Sequence, residues 1–222
     1  MKRINKYLNA VLSRLTDLLI LPSKNEEYCI KKGYRHRKLN FFFDDTGNDD
    51  HWQREVYIYA KKILEQTNGE KVVDLGCGSG RKLIHFFDGH HTIGVDLKKT
   101  VLYLKNKYPN RKWIDFDEAS IDASILDCDV VICSDVIEHL QDPNQITEIL
   151  SKIKAKYIII STPDRALLNE GINGPPRNYT HNREWTINEF KSYLEQSGFF
   201  VEEIFISNRE QATQCALISK NK

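Results

Sequence analysis

Acids and glycines carry the first chemical signal in this sequence. In VVDLGCGSGR (72–81), Gly76, Gly78 and Gly80 fall at every second position, behind two valines and Asp74, with Cys77 between the first two glycines. Glycine gives up more backbone freedom on folding than any other residue. Three at this spacing imply a backbone that must approach a ligand closely. A dinucleotide fingerprint wants GxGxxG, whereas this run is Asp-x-Gly-x-Gly-x-Gly. An acid beside a pyrophosphate is repulsive; beside an ammonium group it is favourable, directly or through a water. The ligand is therefore expected to be cationic and amino-acid-like. Asp96, in TIGVDLKK, suits the two hydroxyls of a ribose. Asp115 or Asp117, in KWIDFDEA, suits an adenine amino group. An amino acid, a ribose and an adenine in one crevice describe S-adenosylmethionine (SAM).

These residues need a scaffold, and the hydrophobic pattern supplies one. KVVDL, HTIGVD, KWIDF, DVVICS and YIIIST are short, β-rich and apolar on both faces, as buried parallel strands are. Helical patterns separate them, near 79–87, 98–107 and 143–153. That alternation predicts a doubly wound, Rossmann-like α/β sheet with helices on both faces. HWQREVYIYAKKILEQ (51–66) predicts a preceding helix closed by Asn68-Gly69. Downstream, FKSYLEQSGF is helical, and FVEEIFIS and QCALISK follow with a short connection. Strands that close must pair antiparallel, because a parallel crossover needs a dozen or more residues.

With this pattern in place, the chain resembles the class I SAM-dependent methyltransferases. The resemblance rests on VVDLGCGSG, IGVDLKK, WIDFDEA, DVVICSDVIEHL and YIIISTPDR in that order, and covers roughly 50–219. It implies a seven-stranded, mostly parallel sheet with an antiparallel last strand, and S-adenosylhomocysteine (SAH) as product. It also implies roles. Asp74 and the loop Gly76, Cys77, Gly78 and Gly80 hold the methionine part; Asp96 holds the ribose; Leu97 packs on the adenine. Asp115 takes the adenine amino group and the Phe116 backbone a ring nitrogen. Ser134 and Asp135 line the site beside the methyl group.

Methyl transfer then needs a positioned nucleophile and, for a hydroxyl, a proton acceptor. His139, in SDVIEHL, and His181, in GPPRNYTHNREW, are the candidates, since imidazole titrates near neutrality. Asp135, Glu138 and His139 share one face if that stretch is helical. The same acid-x-x-Glu-His arrangement occurs in the ubiquinone-pathway O-methyltransferases, which this block resembles. A divalent metal there stays an alternative; the primary expectation is a site without metal. Arg177 and Arg183 suit a carboxylate or phosphate, and Trp52, Gln53 and Tyr57 are candidate lid and acceptor contacts. Trp185 is read as a helix-entry anchor or a stacking ring, and Thr186 with Glu189 as a capping box. Loops of the GPPRN…H.REW type look like those of bacterial methyltransferases accompanying glycosyltransferases in cell-surface polysaccharide pathways.

Bulk properties bound the rest. The 222 residues are 41% hydrophobic and 28% charged, enough for a real core, and a net charge of +1 gives no global field for nucleic acid. Five cysteines without a CxxC pair argue against a disulfide framework or zinc ribbon and fit a reducing cytosol. The first segment, MKRINKYLNAVLSRLTDLLILP, is too polar to span a bilayer and reads as an amphipathic helix. It either docks on the domain or meets a partner, a second copy or a membrane surface. KKGYRHRK (31–38) reads as a solvated arm or substrate rim, with RNA contact as the alternative. The expected organisation is an arm over 1–50 and a methyltransferase domain over 51–222. The expected reaction is methyl transfer to oxygen, with nitrogen second, of a small anionic or sugar-linked acceptor. The rival readings are an RNA or protein methyltransferase and a non-catalytic SAM-binding partner subunit.

Overall fold

In the computed structural model of the chain, residues 20–22, 27–39, 46–47, 51–168 and 173–219 are described. Residues 1–19 of the expected N-terminal helix and Phe41–Phe43 lie outside them, and the last three residues of that segment are strand and not helix. Ile20–Pro22 (β1) and Arg35–Arg37 (β2) form a small antiparallel ladder. The main sheet holds β3 (Lys71–Leu75), β4 (His91–Asp96), β5 (Lys112–Asp115), β6 (Val130–Ser134), β7 (Tyr157–Pro163), β8 (Phe200–Asn208) and β9 (Thr213–Ser219). Its order is β5-β4-β3-β6-β7-β9-β8. The first five strands are mutually parallel, and β9 runs antiparallel between β7 and β8. Both expectations, the parallel set and the antiparallel closure, are met.

The strands form where the sequence is apolar on both faces, because helices cover both. Val72, Val130, Ile132 and Ile159 face one layer, with Val56, Tyr57, Ala60 and Leu64 of α1 (Arg54–Gln66) and Leu83 and Phe86 of α2 (Arg81–Phe86). Val101 and Leu104 of α3 (Lys98–Lys107) complete that layer. Val73, Val131, Ile158 and Ile160 face the other, because successive strand side chains alternate. There they meet Ala119 of α4 (Phe116–Ile121), Ile146, Ile149 and Leu150 of α5 (Asn144–Lys152), and Phe190 and Leu194 of α6 (Ile187–Gln196). Each such fully buried Ile, Leu or Phe contributes roughly 1.5–3 kcal/mol. The capping box at Thr186 and Glu189 forms and starts α6.

The segment 27–39 packs into the same core instead of standing off as an arm. Ile30 and Tyr34 join the second layer. The Arg35 and Arg37 amides donate to the carbonyls of Asn173 (2.7 Å) and Asn182 (2.8 Å). The Leu39 amide donates to Asn182 Oδ1 at 2.7 Å, and Asn182 Nδ2 returns a bond to the Leu39 carbonyl at 3.1 Å. This segment therefore fixes the loop that carries His181.

Candidate active site

The strand order reverses between β3 and β6, and crevices at such switch points open at the strands' carboxyl ends. A crevice of about 660 Å³ lies there, within the ~300–1,000 Å³ typical of small-molecule sites. Gly76 and Gly78 line it. Gly76 needs glycine twice over: its φ is +81°, and a Cβ would run into the Val136 side chain. Gly80 has φ +69° and abuts the Trp113 ring, which a Cβ would approach to 2.7 Å. Gly80 thus seats the loop on β5, whereas Gly76 opens it to the crevice. Cys77 is buried among apolar side chains, and burial pushes its thiol well up.

Asp74 is fully buried beneath this loop. It accepts from the Tyr57 hydroxyl on Oδ2 at 2.8 Å, while Oδ1 has no hydrogen-bond partner among the described residues. Burial raises its pKa to about 7, against the opposing pull of that hydrogen bond and of Lys82. Asp96 accepts on both oxygens, from the Gly78 amide and the Leu97 amide, each at 2.8 Å. Carboxylate oxygens keep further lone pairs, so Asp96 both shapes the loop and faces the crevice. Leu97 is exposed at 45%, an apolar surface left for a ligand to cover, and Phe116 lines the same end. Asp115 Oδ1 accepts from the Asp117 amide at 3.0 Å, and Asp115 is not among the residues that line the crevice.

After β6, Asp135 sits in the left-handed region at φ +52°, a strained conformation for a non-glycine residue. The expected helix through 135–139 is only the short 3-10 turn Ile137–His139, so Asp135 does not share its face. The Asp135 carboxylate instead accepts from Ser161 Oγ at 2.6 Å and from the Gln53 side chain. Burial raises its pKa. Ser134 is hydrogen-bonded to Ser161 at 2.8 Å. Gln53 is held by Gln211 Oε1, which accepts from its amide at 3.0 Å. Trp52, 51% exposed, overhangs the same rim.

Glu138, His139 and His181 meet at the crevice wall, with one donor atom from each lying within 4.8 Å of the others. His139 Nδ1 is 3.1 Å from the Thr180 carbonyl, which requires a proton on Nδ1 and leaves a lone pair on Nε2. That Nε2 lies 3.9 Å from Glu138 Oε1. Burial, then the neighbouring His181, lowers the His139 pKa to about 3. Glu138 accepts from Thr162 Oγ1 at 3.0 Å on Oε2, while Oε1 is buried with no hydrogen-bond partner among the described residues. Burial and the Asp135 charge raise its pKa. His181 Nδ1 lies 2.7 Å from Glu184 Oε1, and its Nε2 lies 2.8 Å from Asn178 Nδ2. Glu184 and Lys82, which also lines the crevice, were not singled out from the sequence. A carboxylate three residues after His181 was the available signal for the first.

The two loop arginines do not line the crevice. Arg183 is 1% exposed and donates to the carbonyls of Leu140 and Gln141, with its guanidinium over the Tyr28 ring. It staples the β6–α5 connection to the arm and is corrected from acceptor contact to structural residue. Arg177 points outward. Trp185 is fully buried between Phe190 and Tyr193, an anchor for α6 as the first of its two readings has it.

Fold, switch-point crevice and the Asp74–glycine–Asp96 constellation together define a class I SAM-dependent methyltransferase domain. A family profile described as a methyltransferase domain matches residues 39–204, and the chain belongs to that family. It is 29% identical over 165 residues to a probable S-adenosylmethionine-dependent methyltransferase of Mycolicibacterium smegmatis, covering 70% of this chain and 62% of that protein. It is 28% identical over 174 residues to the small RNA 2'-O-methyltransferase of Arabidopsis thaliana, covering 63% of this chain and 18% of that protein. The chain thus spans less than two thirds of either relative. The fold is shared with magnesium protoporphyrin IX methyltransferase from Synechocystis PCC 6803 with bound SAH, at TM-score 0.56 and 18% identity over 79% of this chain and 90% of that one. Among the described residues no helix is long and apolar enough to cross a membrane.

Proposed function

We propose that this chain transfers the methyl group of SAM to a hydroxyl oxygen of a small sugar-linked or anionic acceptor, with His181 taking the hydroxyl proton. The observation that carries the reading is the Glu138–His139–His181 cluster, which gathers electron-pair donors in the crevice wall that Ser134 and Asp135 also line. An amine acceptor needs no such group, whereas a hydroxyl must lose its proton as the methyl arrives. His181 suits that task by geometry. Glu184 fixes Nδ1 as the protonated nitrogen of the neutral ring, which leaves the Nε2 lone pair to accept. Asn178 holds that nitrogen until an acceptor hydroxyl displaces it. His139, with its depressed pKa, is the weaker base and orients the acceptor.

The small-acceptor reading is supported by what has become of the basic arm. Arg37, 2% exposed, donates to the carbonyls of Pro176, Asn178 and His181, and Arg35 donates to the Gly174 carbonyl. Arg37 thus orders the loop and is withdrawn from any track for a polynucleotide, while Lys32, Arg35 and Lys38 stay exposed. A 2'-hydroxyl of RNA is the second reading, favoured by the small RNA 2'-O-methyltransferase relative.

The cluster also passes a fit test for a divalent cation. One carboxylate oxygen and two imidazoles form a suitable donor set, and the orphaned Glu138 Oε1 is the kind of buried acceptor a cation would satisfy. Such an ion, when bound, would lower the pKa of a coordinated hydroxyl. Methyl transfer to a panel of sugar, carboxylate and RNA 2'-hydroxyl acceptors tests the function directly. With the responding acceptor, His181→Ala should lower turnover by ~10²–10⁴ at unchanged SAM affinity and without sensitivity to chelator. If chelator and Glu138→Gln abolish turnover instead, the cluster works as a metal site and His181 is not the base. Methylation of nitrogen alone would overturn the reading.

A further inference from the structure

Lys82 is a charged crevice residue for which the reaction above has no use. It sits two positions after Gly80 on α2, is 6% exposed, and faces the crevice beside Gly76 and Gly78. Among the described residues it makes no hydrogen bond and no ion pair; its ammonium lies 5.4 Å from the centre of the Tyr57 ring. Lysines are almost never so buried unless paired, and an unpaired buried charge is costly. The structure therefore holds a cation in want of an anion.

The nearest carboxylates do not fill that want. Lys82 influences Asp74 and Asp135 electrostatically without forming an ion pair with either. Tyr57 is the spacer: its hydroxyl takes Asp74 Oδ2, and its ring face carries the Lys82 ammonium. A lysine present only to neutralise Asp74 would contact it. Here one negative and one positive side chain are held near each other yet apart, both at the glycine loop. That is the electrostatic complement of an amino acid zwitterion.

We propose that Lys82 binds the α-carboxylate of the cofactor's methionine part, while Asp74 receives its α-ammonium. The proposal rests on SAM occupying this crevice and adds a specificity-determining residue to it. Lys82 makes the site select the complete amino acid over adenosyl thioethers that lack the carboxylate.

The test compares SAH with its decarboxylated analogue, which differs only by that carboxylate, by calorimetry on the intact chain. Wild type should prefer SAH by roughly 10–100-fold, the range of a hydrogen bond to a charged group. In Lys82→Met the preference should shrink to within about threefold, with the analogue's own affinity nearly unchanged; Lys82→Arg should restore most of it. Binding of the analogue shows that the variant is folded, and Lys82→Gln carries the same comparison if the methionine variant is not. A preference that survives in the variants, or equal affinities in wild type, overturns the role of Lys82 and leaves SAM binding standing. Failure of wild type to bind either ligand would instead remove the SAM reading itself.

Discussion

Replacing Asp74 with asparagine should make the ligand-free protein more stable and a poorer binder of SAM. The Asp74 carboxyl is fully buried, with one oxygen on the Tyr57 hydroxyl and the other without a hydrogen-bond partner among the described residues. Lys82 favours its charged form and Asp96 disfavours it, and the balance with burial lifts the pKa from 3.8 to about 7. An acid with a raised folded pKa holds a proton in the native state that the unfolded chain has lost. The contribution of Asp74 to stability is therefore largest below pH ~4 and falls as pH rises towards 7, at ~1.36 kcal/mol per pH unit. The gap of about three pH units corresponds to an upper bound of ~4 kcal/mol above neutrality. Asparagine keeps the shape and can still accept from Tyr57, yet carries no charge. Denaturant unfolding of both proteins from pH 4 to 8.5 isolates the contribution, since other groups titrate alike in each. The variant's advantage should be near zero at pH 4, grow through pH 5–7 and level off. SAM affinity should drop at least tenfold, because the ammonium loses a charged acceptor, about 1.5–3 kcal/mol. A stability difference independent of pH would refute the buried-charge argument, and undiminished SAM binding would refute the assignment of the ammonium.

Asp96→Ala should weaken SAM and SAH by about tenfold to a hundredfold, at 1.5–3 kcal/mol for hydrogen bonds to a charged group, measured by calorimetry; an unchanged dissociation constant would place the ribose elsewhere. Arg165 is 2% exposed, donates to both Glu189 oxygens at 2.7 Å and stacks over Tyr34, so Arg165→Ala should cost roughly 3–5 kcal/mol in denaturant unfolding. Gly80→Ala combines φ +69° with a clash on Trp113 and should lower the melting temperature and SAM affinity together. Because burial lowers the His139 pKa to about 3, the acid limb of the pH–rate profile should survive His139→Gln; disappearance of that limb would contradict its buried, neutral state.

The division between sequence and structure follows the range of the forces. Strand and helix identities are local: KVVDL and YIIIST are apolar on both faces, and α3 begins and ends where its periodicity does. The glycine loop was legible for the same reason, since a spacing of two beside Asp74 constrains the backbone within ten residues. The short link between β8 and β9 forced their antiparallel pairing. Everything that depended on where a side chain points had to wait for the tertiary structure. Asp115 and Asp117 looked equivalent until Asp115 turned to accept from the Asp117 amide. Arg183 read as a substrate clamp because a guanidinium's partners are invisible in sequence; the Leu140 and Gln141 carbonyls that it serves come from the β6–α5 connection, another part of the chain. The same folding brings His181 against His139 and Glu138, and the arm at 27–39 holds it there. Lys82 carries no mark in the sequence beyond its place after the glycines. Only burial without an ion pair or hydrogen bond among the described residues turns it from a surface lysine into a residue awaiting an anion.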